Sequence, residues 1–198
     1  EAKSRPDVAA SKLKPPTLLY RTEMIFDDGK HRVELLHFGV AHTHGDGWAW
    51  LPKEKILFTG DACVNGPYNF TGDGNVEQWI KTLEAVKKLG AKIVCPGHGQ
   101  MGTGELLEDQ QTFFVELRKQ VKKYARKKAD EVKASVPEIK AALQKQPRIA
   151  RYVGDSLAGQ VEKVYVEMGG KSWTPKAAAA DERREHAHAH GGELHSHQ

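Results

Sequence analysis

Ala41-His42-Thr43-His44-Gly45-Asp46-Gly47, Thr59-Gly60-Asp61 and Cys95-Pro96-Gly97-His98-Gly99 are the stretches whose reading decides the fold. Between the first two lie an apolar run, Trp48 to Leu51, a turn at 52–55, and a second apolar run, Ile56 to Phe58. Short apolar runs bounded by turn residues read as strands joined in a hairpin. Each quoted stretch then sets a metal-competent side chain, His42, Asp61 or His98, just past a strand at a glycine-rich bend. A strand end is a rigid mount, and glycine lets backbone crowd close to an ion or ligand. Neutral imidazole with carboxylate suits zinc or a similar divalent metal, so three such ends can share one site. One histidine beside glycine is an ordinary turn residue; repetition at successive strand ends is what favours a metal.

Upstream, residues 1–16 mix Lys, Ser, Ala and Pro and end in Pro15-Pro16, which reads as an extended linker. From Thr17 to Phe26 the positions Leu18, Tyr20, Thr22, Met24 and Phe26 alternate as in a half-buried strand. Asp27-Asp28-Gly29-Lys30 is a hairpin turn, and His31 to Phe38 is its partner strand. Downstream of Asp61, residues 62–75 are rich in Gly, Asn and aromatics and form a surface loop. Its Tyr68, Asn69 and Phe70 either reach into a substrate pocket or cover the core. Val76, Trp79, Ile80, Leu83, Val86 and Leu89 follow helical spacing, with Asn75 as cap and Gly90 as stop, and Lys92 to Cys95 is a short strand. Strand, helix, strand is the α/β signature. A long helix runs from Thr103 to Lys128 and on toward Ala134, followed by helical pieces from Pro137 to Leu143 and between Ile149 and Met168. Residues 171–198, with His186, His188, His190, His195 and His197, read as a disordered tail whose histidines could chelate metal loosely.

His42-Thr43-His44-Gly45-Asp46, Phe58-Thr59-Gly60-Asp61 and Pro96-Gly97-His98-Gly99, in this order and with this hairpin between, resemble the third, fourth and fifth motifs of the metallo-β-lactamase-fold hydrolases. The resemblance covers roughly residues 17–118. It implies an αββα sandwich, present here as its second half, with a carboxy-terminal helical extension. The division is then a linker at 1–16, the metallo-β-lactamase-like domain at 17–135, the helical extension at 136–170 and the tail at 171–198. The extension covers the sheet, closes as a lid, or serves in homodimerisation. The resemblance also implies two zinc ions, with His42 on the first, Asp61 bridging both, and His98 on the second. Asp46 is then read as orienting the His42 loop by capping nearby amides, and His44, Tyr68 and Asn69 as residues behind or beside the site.

The family's opening motif, His-x-His-x-Asp-His, is missing. Residues 42–47 imitate it, yet end in Gly47 and lead into a hairpin where the motif leads into a helix. His31 and His37 sit in a strand without the motif around them. The chain is therefore expected to be the carboxy-terminal half of a hydrolase, keeping about three donors for two ions that need about seven or eight, and to be inactive alone. The best-known zinc β-lactamases carry cysteine where Asp61 stands, which aligns this chain with the hydroxyacylglutathione-hydrolase-like branch. The substrate is then a small molecule with an ester, thioester, lactone or related bond. The competing readings are a non-catalytic module of the same fold and a basic RNA-binding relative.

Composition narrows the classes further. Of 198 residues, 39% are hydrophobic and 28% charged, with mean hydropathy −0.60, which fits a soluble domain with a real core. No apolar run approaches the roughly 20 residues of a membrane helix, so no membrane-integral role is expected, and compartment is left open between cytoplasm and periplasm. The net charge of +4 comes mostly from Lys and Arg between Lys87 and Arg151, mixed with acids and lacking an aromatic stacking platform, which argues against nucleic acid. Cys63 and Cys95 are too few for a disulfide framework and read as small buried thiols, with a bridge or a thiolate ligand as the alternatives.

Overall fold

The structure, a computed structural model, describes residues 10–12 and 14–174. Thr22–Trp173 form one compact unit, and the described residues outside it hold no helix or strand. Most of the histidine-rich segment lies outside the described residues.

Among the described residues five strands make one sheet in the order β1-β2-β3-β4-β5: β1 Glu23–Asp27, β2 Arg32–Leu36, β3 Trp48–Leu51, β4 Ile56–Gly60 and β5 Ile93–Pro96. The first three pairings are antiparallel and β4 pairs with β5 in parallel. β2, β4 and β5 therefore point the same way, and the loops that follow them leave from one edge of the sheet. That edge receives residues 37–47, 61–75 and 97–104.

The Asp-Gly turn between β1 and β2 forms as the sequence requires, with Gly29 at φ 84°. The Asp28 carboxylate accepts the backbone N–H groups of Lys30 (2.8 Å) and His31 (2.7 Å), which holds its pKa down from 3.8 to about 2. A depressed carboxyl stabilises the turn above pH 3.8, and that contribution disappears as pH falls through about 2. The expected result is that Asp28→Ala removes the acid dependence of the Lys30 and His31 amide shifts between those two pH values. The strand before the turn is shorter than its alternation implies. It starts at Glu23, and Leu18 and Leu19 are 66% and 80% exposed.

Side chains along the strands sort by parity. One face carries Trp50, Leu57 and Val94 in register, with Trp48 beside them, all buried under helices. These helices are α1 Val76–Lys87 and α2 Glu105–Lys122, followed by α3 Ala129–Ala134, α4 Val136–Gln144, a 3₁₀ turn Ala150–Tyr152 and α5 Leu157–Glu167. Their apolar stripes join the sheet in one core containing Trp79, Leu83, Phe113, Phe114, Ile139, Tyr152 and Val161. The helices beyond residue 136 thus share the core of the sheet.

The other sheet face is different. Met24, Leu35, Ala49, Phe58 and Cys95 lie in register across all five strands, and Leu51, Ile56 and Ile93 form a second row. Phe26 and Val33 pair on the same side. All ten are apolar, and none is buried.

Helix boundaries depart from the pattern at one place. The single helix expected from 103 into the 130s ends at Lys122 and restarts at Ala129. The apolar stripe continues through Tyr124, but Lys122, Lys123, Arg126, Lys127 and Lys128 crowd like charges into the break. Tyr165 Oη on α5 donates to the Lys127 carbonyl at 2.7 Å, giving the interrupted backbone a partner.

Candidate metal centre

Asp61 stands directly after β4 and His98 two residues after β5, adjacent parallel strands. Their side chains meet, His98 Nε2 lying 3.3 Å from Asp61 Oδ1. Both are accessible from solvent, the imidazole at 24% and the carboxylate at 41%. The approach depends on Gly97. Its N–H donates to the carbonyls of Gly60 (2.9 Å) and Cys63 (3.0 Å), drawing the two turns together. A Cβ on Gly97 would fall 2.2 Å from Asp61 Oδ1 and 2.6 Å from the Gly60 carbonyl carbon.

The turn after Asp61 is anchored from behind. The Ala62 carbonyl accepts from Trp79 Nε1 (2.8 Å) and Gln110 Nε2 (3.0 Å), and the Val64 N–H donates to Gln110 Oε1 (2.8 Å). Gln110 is fully buried. In the sequence it counts as one position of an apolar stripe, and its role as a clamp on the Asp61 turn is not legible there.

His42 follows β2 in a loop held by polar contacts. Asp46 Oδ2 accepts the Thr43 N–H at 2.8 Å and its Oδ1 the Thr43 hydroxyl at 3.0 Å. His37 Nδ1 donates to the Asp46 carbonyl at 2.8 Å, which fixes the proton on that nitrogen. His44 is exposed. Thr82 on α1 donates to the Val40 carbonyl at 2.8 Å and ties the loop to the helix. The His42 ring faces aromatics, Trp79 at 6.0 Å and Phe70 at 6.1 Å between centroids, both edge-on.

The loop from 62 to 75 touches all three segments. Tyr68 lies over His98 with centroids 5.5 Å apart, and Phe70 lies against His42. At its far end the loop closes on the first segment, where a Cβ on Gly74 would fall 1.9 Å from the Ala41 carbonyl oxygen. Tyr68 is 40% exposed, whereas Asn69 is turned inward and is 1% exposed, so its side chain does not reach a cleft. Both of its side-chain polar atoms are buried without a hydrogen-bond partner among the described residues.

Imidazole and carboxylate at contact distance are a donor pair that suits zinc. Among the described residues no three His, Cys, Asp or Glu side chains stand together as a metal-holding group. The structure thus brings Asp61 and His98 together and leaves His42 against its aromatic neighbours. Cys63, two residues past Asp61, is fully buried and its thiol is pushed up to about 12 by burial. Cys95 is part-exposed, its Sγ 3.5 Å from Met101 Sδ, and both cysteines are free. A thiol reagent is expected to label Cys95 in the native protein and Cys63 only after unfolding; mass mapping of the modified peptides checks it.

Residues 19–98 match the family model described as Metallo-beta-lactamase superfamily. The match takes in the five strands, α1, His42, Asp61 and His98, and the mixed α/β architecture of this stretch is that of part of the metallo-β-lactamase fold. A Metallo-beta-lactamase type 2 of Bacteroides fragilis is 36% identical over 81 residues, 38% of this chain and 32% of that protein. Among solved structures, a metallo-beta-lactamase from Pontibacter korlensis is 25% identical, covers 51% of this chain and 49% of its own, and gives a TM-score of 0.48. The DIM-1 metallo-beta-lactamase is 31% identical, with coverages of 50% and 48% and a TM-score of 0.45. The chain thus spans about a third of the curated relative and about half of these structures. No helix among the described residues is long and apolar enough to cross a membrane.

Proposed function

We propose that this chain is the carboxy-terminal half of a metallo-β-lactamase-fold hydrolase acting on a small-molecule ester, thioester, lactone or related bond. The observation that carries the proposal is the meeting of Asp61 and His98 at the common carboxyl edge of β2, β4 and β5, within the stretch that matches the superfamily. Zinc, when bound, would supply an activated water and polarise the carbonyl under attack. Asp61 and His98 would hold it, and His42 would join from the neighbouring loop. Asp46 sets that loop through Thr43. Tyr68 and Phe70 form the wall beside the two histidines. Aspartate at position 61, where the best-known zinc β-lactamases carry cysteine, favours the hydroxyacylglutathione-hydrolase-like branch.

The half-fold reading is supported by the open sheet face. Ten apolar residues in register need a cover. A second sheet carrying the His-x-His-x-Asp-His cluster would bury them and complete the donor set at the same edge.

Zinc calorimetry with thioester and lactone assays, on this chain alone and joined to such a half, tests the proposal. The chain alone should bind zinc weakly without turnover, and the joined protein should take two ions and turn over. An Asp61→Asn, His98→Ala variant subtracts zinc held by the histidines of 186–197. Two tightly bound ions with turnover by this chain alone would overturn the half-fold reading. A joined protein that folds yet neither binds zinc nor turns over points instead to a non-catalytic module.

A further inference from the structure

We infer that α5, which lies beyond the stretch matching the superfamily, is the positioning element of the candidate centre, because its polar face sets the loop that carries Tyr68 and Phe70. The inference rests on the proposed reading only in taking His42 and His98 as ligands. Ser156, Gln160, Lys163 and Glu167 are spaced four, three and four apart, which puts them on one face of a helix. The first three meet the loop in turn, and the fourth meets the helix that follows it. Gln160 Nε2 donates to the Asn69 carbonyl at 2.6 Å, and Ser156 Oγ lies 3.5 Å from the same oxygen. Lys163 Nζ donates to the Gly72 carbonyl at 3.2 Å. Glu167 accepts the N–H groups of Val76 (2.8 Å) and Glu77 (3.3 Å), the first turn of α1.

The loop therefore runs beside α5 in the same direction, with a contact at each helical turn. Just before the helix, a Cβ on Gly154 would fall 2.6 Å from Pro67 Cβ, so the register is also fixed by packing. Loops leave their backbone polar groups to water unless something claims them. Here α5 claims the carbonyls of Asn69, between Tyr68 and Phe70, and of Gly72, two residues past Phe70, while the Tyr68 ring packs on His98 and the Phe70 ring on His42. Glycine makes room for the rings, since a Cβ on Gly66 would lie 2.8 Å from the Tyr68 ring and one on Gly72 2.4 Å from that of Phe70.

The test begins on the metal-free protein, with amide hydrogen exchange over residues 68–74 and the ring-to-ring nuclear Overhauser effect between Tyr68 and His98. Gln160→Leu should speed loop exchange by about tenfold or more and abolish the ring contact, while core amides of α1 and α2 stay within about twofold of the parent. Lys163→Met should speed exchange around Gly72 and Lys163→Arg should restore it, since arginine keeps a donor there. Unchanged exchange and an intact ring contact in a folded Gln160→Leu protein overturn the inference. Should that variant not fold, equal exchange in the two Lys163 variants overturns it instead. In the joined protein, Gln160→Leu should weaken zinc binding by about tenfold, and a freed loop with undiminished affinity counts against a positioning role. A joined parent that takes no zinc removes the metal reading, while the exchange result still decides whether α5 sets the loop.

Discussion

Gly97→Ala is expected to destabilise the fold by about 1–3 kcal/mol and to part Asp61 from His98. Gly97 has no positive φ, so the effect is one of space and not of backbone preference. The added methyl would lie 2.2 Å from a carboxylate oxygen and 2.6–2.7 Å from backbone atoms of Gly60 and Asp61. A carboxylate can rotate away, but backbone that also accepts the Gly97 N–H cannot move without lengthening that bond. Either response enlarges the 3.3 Å separation of Asp61 and His98. For a unit of this size the melting temperature should drop by about 2–4 °C per kcal/mol, and zinc affinity of the joined protein by about ten- to a hundredfold. Gly45→Ala is the control. It lies in the His42 loop, has no atom within 4 Å of where the methyl would sit and no positive φ, so its stability should stay within about 0.5 kcal/mol of the parent. Equal stability of the two variants would show that the Gly60–Gly97 approach does not constrain the pair.

The parts of the fold that can be read from the sequence are those decided locally. Trp48 to Leu51 and Ile56 to Phe58 read as strands because they are short apolar runs bounded by turn residues, and their turn is short enough to leave a single register. Asn75 caps α1 through its own side chain, accepting the Gln78 N–H at 2.8 Å. The strand expected at Leu18 and Tyr20 does not form, because alternation over a few residues says nothing about whether a partner strand is present; β2 pairs only as far as Glu23. The break after Lys122 is hidden for a related reason. Neither Pro nor Gly marks it, and the hydroxyl that satisfies the Lys127 carbonyl comes from Tyr165, 38 residues away.

The same division holds at the site. His42, Asp61 and His98 announce themselves through glycine bends after strands, a short-range signal. What holds them in place does not. Asn69 reads as a residue behind or beside the site, yet its carbonyl is claimed by Gln160, 91 residues on, and its side chain is buried. Arg118 links Glu77 to Glu167 at 3.0 Å each, joining α1, α2 and α5 through charges that read in sequence as wet helical surface. Long-range polar contacts of this kind carry no periodicity, so only coordinates reveal them.

Gln110→Leu is the second large effect, and it separates support of the Asp61 turn from simple filling of the core. Leucine matches glutamine in bulk but offers the Val64 N–H no acceptor and the Ala62 carbonyl one donor fewer. Ala62 keeps Trp79 Nε1, so it loses only part of its bonding. The Val64 N–H, fully buried, is left with the desolvation penalty of an orphan donor. Together these cost about 2–4 kcal/mol, measurable by urea unfolding. Gln110→Glu discriminates further. At neutral pH a buried carboxylate would still accept from Val64 but repel the Ala62 oxygen, so its folded pKa is raised above the unfolded value of about 4.3. The deficit against the parent should therefore shrink as pH falls through that raised pKa, because the protonated acid can again donate to Ala62. If Gln110→Leu unfolds at the parent's urea midpoint and Gln110→Glu shows no such recovery, the turn holding Asp61 is set by its own backbone and not by α2.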